Sequence, residues 1–587
     1  MKISNKLKLL VISLSAIAAL SGCGNNQATQ QTENLQSTQP NIILILADDL
    51  GYSDISPYGS EIDTPNLEHL ANNGLMMTNF HVGAACSPTR TMLMTGVDNH
   101  LAGLGNMLEI QADNQFGKKG YEGQLNKEVV TVASALKGQG YNSYMVGKWH
   151  LGKNQENKPS NRGFERSFVL LESGADNWVD QSYGPMYQKV HYLEDGKPTT
   201  LPKEDYFSTD FYTDKMISYI ESNRNSGKPF FSYVAYQAVH SPHQAPLEYV
   251  EKYNGTYDKG WDQQRDIRLA KQKKLGIIDK SAELKDDFSD STLYKTSKWQ
   301  SYSEEEQAFH ARRMQVYAGM VDNMDVNIGR LMAYLKSIGE ADNTVIIFMS
   351  DNGADATELQ NIPPYEPWYR GNYSYTYPSD LSEGLTELGQ KDSFSAYGPG
   401  WASVSNTPTS YWKTYSSEGG VRSPFIIHYP AKIKAGQLTN KFAYVSDILP
   451  TLLEISGTNV DEAYADKTNI IKPTGKSMMP LFSGESQVVH QPESMVGYEL
   501  AGSSALFNEN LKLVRNLPPK GDGQWRLYDI VKDPGEVNNL AEQMPEKVNM
   551  MVKAYEEYAK NNNVIPVPEG YDPRMQLMKN AQRANAH

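Results

Sequence analysis

Five short apolar runs, the first four leading into polar and chemically capable residues, constrain this 587-residue chain more than any other feature. They lie at 42–47, 143–146, 230–235, 345–349 and 424–428, and they read as buried parallel strands. Helical patterns separate them. Segments 65–72 and 129–138 are two. The clearest starts at Ser303, with Glu306 completing a capping box, and places Val316, Met320, Met324, Ile328, Leu331 and Leu335 on one face before Gly339. Strands alternating with helices predict an α/β fold built on a large, mainly parallel sheet. Ligands of such sheets bind beyond the carboxyl ends of the strands. The first strand runs into Asp48-Asp49, the second into Gly147-Lys148-Trp149-His150, the third toward His240 and His243, and the fourth into Asp351-Asn352-Gly353. One site assembled from distant loops follows from that pattern.

Three carboxylates and an amide at one sheet edge repel one another unless a cation sits between them. Hard oxygen ligands suit calcium or magnesium rather than zinc. The net charge of -14 argues against nucleic-acid binding, so an anionic ligand would need a local cationic site. Residues 250–302, rich in Lys, Asp and Gln, read as a solvated helical insertion. Residues 359–412, rich in Tyr, Trp, Ser and Gly, lack periodicity. Their aromatics form either a lip that stacks on substrate or the core of a long loop, with the lip favoured. Residues 480–587 suggest a small α+β unit after a catalytic domain at 41–479. Its strands are expected at 494–499, 511–515 and 525–528, and its helix at 545–560.

The amino-terminal stretch reads as a targeting segment. Lys2, Lys6 and Lys8 precede a short apolar run, and Leu20-Ser21-Gly22-Cys23 resembles a bacterial lipobox. That resemblance implies a signal peptide at 1–22, a lipid on Cys23, and a periplasmic or outer-membrane lipoprotein held by its lipid anchor. Residues 23–40, polar and aperiodic, read as a disordered tether. With Cys23 claimed, Cys86 is the only other cysteine, so no intrachain disulfide is available.

Cys86-Ser87-Pro88-Thr89-Arg90 followed by Thr91 to Gly96 resembles the signature of type I sulfatases, Cys-x-Pro-x-Arg. Gly147-Lys148-Trp149-His150-Leu151-Gly152 resembles their second signature. Tyr121-Glu122-Gly123, 162–166 and 528–536 extend the likeness toward bacterial arylsulfatases of the Pseudomonas-like subgroup. The resemblance implies an alkaline-phosphatase/sulfatase-like fold and hydrolysis of sulfate monoesters. It also implies that a formylglycine-generating or sulfatase-maturating enzyme oxidises Cys86 to formylglycine. One hydroxyl of the hydrated aldehyde then attacks sulfur to give a covalent sulfoenzyme, and the other drives sulfate release. The implied metal ligands are Asp48, Asp49, Asp351, Asn352 and modified Cys86, around one calcium, with magnesium as the second choice. Lys148 and Lys413 would bind the sulfate, Arg90 would hold the nucleophile, and His150 would assist release. Asp351 would accept the proton of the attacking hydroxyl. His240, with His243 as competitor, would protonate the leaving oxygen. Alternatives are a phosphodiester or phosphonate monoester hydrolase of the same superfamily, an inactive lipoprotein that binds sulfated glycans, and a sulfotransferase.

Overall fold

A computed structural model of the chain describes residues 39–585, apart from 287, 289–290, 295–296 and 377–383. The signal peptide, Cys23 and most of the tether lie outside the described residues. Among the described residues no helix is long and apolar enough to cross a membrane.

The main sheet has eleven strands. They are β1 (Asn41–Ala47), β2 (Leu75–His81), β3 (Asn142–Lys148), β4 (Arg166–Leu170), β5 (Tyr192–Glu194), β6 (Lys197–Thr199), β7 (Phe230–Ala235), β8 (Thr344–Ser350), β9 (Arg422–His428), β10 (Gln437–Thr439) and β11 (Ala443–Tyr444). The order is β10-β2-β9-β8-β1-β7-β3-β4-β5-β6, with β11 also on β2. β8, β1, β7, β3 and β4 run parallel. Every residue of β1 is buried. Ile42, Leu44 and Leu46 enter one core while Ile43, Ile45 and Ala47 enter the other, as a strand covered on both faces requires.

The fifth apolar run departs from expectation, because β9 is antiparallel to both β8 and β2. The reason is topological. The chain leaves β8 at its carboxyl end, makes the long excursion through 351–421, and re-enters the sheet from that same edge. β2, antiparallel to β9, therefore points the same way as β8. Strands β2, β8, β1, β7 and β3 all deliver their carboxyl ends to one edge, where β9 begins.

The long helix, Glu304–Ser337, has the expected capping box, and its predicted apolar face is buried on the second core. Segment 65–72 is the helix Pro65–Asn72. The helix expected over 129–138 is shorter, Val132–Lys137, because Thr131 caps it. The insertion at 250–302 is not merely solvated. Its helix, Gly260–Leu275, buries Arg268, which donates to Asp54 at 2.7 Å and to Glu61 at 2.8 Å, and Trp261 packs on Trp299 and Trp401. Charged residues there tie the insertion to the core, so composition alone misread it.

The carboxy-terminal unit is a four-stranded antiparallel sheet of β12 (Val496–Leu500), β13 (Ser503–Asn508), β14 (Leu511–Asn516) and β15 (Arg526–Asp529), with the helix Pro545–Asn561 packed on it. β13 and a last helix, Pro573–Asn585, were not expected. Two buried ionic networks join this sheet to the rest. In one, Lys512 donates to Glu418 at 2.9 Å and to Glu536 at 3.0 Å, while Glu418 also meets His81 and Arg422. In the other, His100 bridges Asp98 at 3.0 Å and Glu499 at 3.1 Å, and Tyr558 donates to Asp98. Burial alone would depress His100, but these two carboxylates raise it to about 9.

A group whose folded-state pKa is raised contributes its stability in full below its unfolded value of about 6.5 and loses it as pH rises through about 9. His100→Gln is therefore expected to lower the melting temperature at pH 6, by an amount on the order of 3 kcal/mol in stability, and to differ little from wild type at pH 10. Thermal melts of both proteins at both pH values test this. An equal gap at pH 6 and pH 10 contradicts the charged bridge.

Candidate active site

The site edge collects most of the residues that the motifs singled out. Asp48 and Asp49 follow β1, Lys148 ends β3 with His150 just beyond, His240 follows β7, and Asp351 and Asn352 follow β8. Cys86 opens the helix Cys86–Thr95 after β2, with Ala85 as its cap and Pro88 in the first turn. The Cys86 side chain thus sits at the positive end of a helix. Lys413 lies in the loop that leads into β9. That loop approaches the β8 end so closely that a Cβ on Gly353 would fall 1.7 Å from the Gly419 carbonyl oxygen. Gly353 is required by this contact, and Gly419 by a different one, since its Cβ would fall 2.0 Å from the Tyr411 carbonyl oxygen.

Cys86 Sγ is 3.3 Å from Asp48 Oδ1 and 3.8 Å from Asp49 Oδ1. One ligand atom from each of Asp48, Asp49, Cys86 and Asp351 lies within 4.8 Å of the others, all buried. Cations enclose this acidic group. Lys148 Nζ is 2.5 Å from Asp48, Lys413 Nζ is 2.8 Å from Asp49, and Arg90 contacts Asp351 at 2.8 Å and Asp48 at 3.5 Å. Arg90 also donates to the Lys148 carbonyl at 2.9 Å, which fixes its fork. The backbone is strained where it turns into the site, with φ of 62° at Asp49 and 55° at His150.

Burial would lift Asp49, but Lys413, with His240 and Lys148, holds it well below the usual carboxylate range. Asp351 goes the other way: burial and the nearby Asp48 push it to about 6 against Arg90 and Lys148. Burial, with Asp351, pushes the Cys86 thiol well up. Asn352 donates its amide to Asp49 at 2.7 Å, while its buried Oδ1 has no partner among the described residues. Three clustered carboxylates and an orphaned amide oxygen make a donor set suited to a hard divalent cation. The residues present fit such an ion.

His240 and His150 line a cavity of about 100 Å³ that opens on Cys86 and Lys413. His240 Nδ1 donates to the Ser241 carbonyl at 2.6 Å, and Tyr183 packs edge-on against its ring at 4.9 Å. His240 Nε2 is 3.7 Å from Asp49. His243 is buried between Tyr317 and Tyr397 and is not part of the cavity wall, whereas His240 is. The aromatics expected as a substrate lip are instead the core of their own loop. Tyr365, Tyr369 and Tyr373 cluster with Phe394, and Trp401 and Trp412 are buried. Of Tyr365, Tyr369, Tyr373 and Phe394, Phe394 alone lines the cavity, beside Tyr183 of the same cluster.

One functional residue escaped the sequence analysis. His150 Nε2 is 2.9 Å from Glu109 Oε1, which also accepts from Tyr187. Burial would raise Glu109, yet His150 and Tyr187 bring it down to about 2. An ionised carboxylate can only accept, so Nε2 carries the proton and Nδ1, which has no partner among the described residues, is a free base. Nothing around Glu109 in the sequence marks it; only the fold brings it to His150.

Comparison with known proteins agrees with this geometry. Residues 40–458 match the family model described as sulfatase, and residues 409–561 match one described as N-sulphoglucosamine sulphohydrolase, C-terminal. An uncharacterized sulfatase of Schizosaccharomyces pombe is 38% identical over 550 residues, covering 91% of this chain and 96% of that protein. An arylsulfatase of Klebsiella aerogenes is 37% identical over 438 residues, covering 74% and 90%. Among solved structures, Ps i-CgsB in complex with k-i-k-neocarrahexaose superposes with a TM-score of 0.62 at 23% identity, covering 92% of this chain and 98% of that one. A phosphonate monoester hydrolase of Agrobacterium radiobacter superposes with a TM-score of 0.53 at 17% identity, covering 89% and 96%, so the architecture alone spans more than one chemistry. The motif residues converge at one sheet edge and the family match covers most of the chain, so the protein belongs to the sulfatase family of sulfuric ester hydrolases.

Proposed function

We propose that the chain hydrolyses aryl sulfate monoesters through a nucleophile made by oxidation of Cys86 to formylglycine, beside one divalent cation, calcium ahead of magnesium. The observation that carries this reading is the position of Cys86: first residue of a buried helix, against Asp48 and Asp49, ringed by Arg90, Lys148 and Lys413. A hydrated aldehyde there supplies one hydroxyl to attack sulfur and a second to release sulfate. The cation would be held by Asp48, Asp49, Asp351, Asn352 and residue 86, and it supplies positive charge to the sulfuryl oxygens and the nucleophile.

The chain's own residues do the rest. Lys148 and Lys413 bind the sulfuryl oxygens and offset the charge that builds in the transition state. Arg90 locks the carboxylates and the nucleophile in register. Asp351 accepts the proton of the attacking hydroxyl. His240 delivers a proton to the leaving oxygen, a step that typically contributes about 10²–10⁴-fold. His150, oriented by Glu109, takes the proton from the second hydroxyl through its free Nδ1. An aromatic leaving group suits the mostly apolar cavity, whose walls include Met107, Ile110 and Phe394, and the Klebsiella relative carries the name arylsulfatase.

Produced in a host that contains the maturating enzyme, the protein should yield a tryptic Cys86 peptide lighter than the thiol form. It should also cleave 4-nitrophenyl sulfate with a higher kcat/KM than bis(4-nitrophenyl) phosphate. An active preparation with only the thiol, or a preference for the phosphodiester, contradicts the reading. Glu109→Gln is expected to lower kcat by about 10–100-fold with little change in KM, since a misoriented base slows release more than binding. An unchanged kcat removes Glu109 from the mechanism.

A further inference from the structure

Part of the cavity wall is built by the last helix, Pro573–Asn585, which lies beyond the segments that match the family models. Pro573, Arg574 and Leu577 all line the cavity, together with Cys86, His150, His240 and Lys413. The helix is fixed there by specific bonds and not by a broad apolar face. Asn580 donates its side-chain amide to three backbone carbonyls, those of Leu108, Glu109 and Gln111, at 3.0–3.2 Å. Tyr571, just before the helix, donates to the Ile110 carbonyl at 2.5 Å, and Arg583 pairs with Asp113 at 2.7 Å. On the other flank, Tyr365 donates to the Arg574 carbonyl at 2.9 Å. The helix is thus clamped between the segment that carries Glu109 and the aromatic loop that carries Phe394.

Its charge toward the cavity is neutralised. The Arg574 guanidinium is spent on Asp572 at 3.0 Å and on the Leu293 carbonyl at 3.1 Å. What the helix presents to a ligand is therefore the half-buried side chain of Leu577, which also packs on the cluster of Tyr183 and Phe394. We propose that Leu577 is a specificity-determining residue: it sets the depth of the leaving-group subsite and limits it to compact aromatic alcohols. The proposal rests on the aryl sulfatase reading above, since it assigns the leaving group to this cavity. A flat ring entering between Leu577 and Phe394 places its ester oxygen toward His240.

Two substitutions test this in opposite directions. Leu577→Trp shortens the subsite and is expected to lower the ratio of kcat/KM for 2-naphthyl sulfate over phenyl sulfate by about tenfold, while Leu577→Ala deepens it and raises that ratio. Binding of the product 2-naphthol, measured by its fluorescence, should weaken about tenfold in the Trp variant, as loss of pocket contacts of this size predicts. Unchanged substrate ratios and unchanged naphthol affinity in both folded variants overturn the proposal. Naphthol binding that follows residue 577 in a wild type with no sulfate ester turnover keeps the subsite and overturns the catalytic reading instead.

Discussion

Carboxylates gathered at one buried sheet edge demand compensating charge, and the answer to that demand organises the molecule. Asp48, Asp49 and Asp351 are forced together by the pairing of β1 with β8. Arg90, Lys148 and Lys413 arrive from three other segments to face them. Each of those cations is buried, so each depends on the acids as much as the acids depend on it. Removing one partner leaves a bare charge in a low-dielectric interior, so the cluster acts as a unit. The orphaned oxygen of Asn352, beside the three clustered carboxylates, leaves a place for one more positive charge. The same ring of charge that holds the protein together at this edge is the ring that an anionic ester must enter.

A second layer holds that ring in place. Glu418, two residues before Gly420 in the loop that carries Lys413, meets His81, Arg422 and Lys512. Glu536, from the turn after β15, accepts from Lys512, Ser410 and the Glu418 backbone. The stretch 528–536, which extends the family likeness in the sequence, and the stretch 418–422 are therefore joints. They dock the antiparallel carboxy-terminal sheet against the loop that presents Lys413. Its last helix then reaches over to the cavity, so the small sheet both braces the site and carries one of its walls.

What the sequence displays and what it hides divide along physical lines. Asp48, Asp49, Lys148, Asp351 and Asn352 were legible because strand ends of a parallel sheet converge by rule, and Cys86 through the resemblance of its segment to the sulfatase signature, with which a proline in the first helical turn is consistent. The direction of β9 was not legible, since an apolar run has no polarity and only the length and exit of the 351–421 excursion decide it. The tyrosines and tryptophans of 359–412 look alike whether they face a substrate or each other. Glu109 and Arg268 are single charged residues whose partners, His150 and Asp54, are far away in the chain. The helix Pro573–Asn585 has few apolar positions and docks through Asn580 onto backbone carbonyls, so no periodicity announces it.

The account stands on a divalent cation seated between strand ends and the modified side chain. An anomalous difference map from crystals grown with manganese or calcium measures this directly. The account predicts one peak enclosed by Asp48, Asp49, Asp351, Asn352 and residue 86, with oxygen ligands at about 2.3–2.6 Å if the ion is calcium. A map with no peak there, or with the ion bound elsewhere while the cluster closes on itself through Lys148 and Lys413, would contradict it.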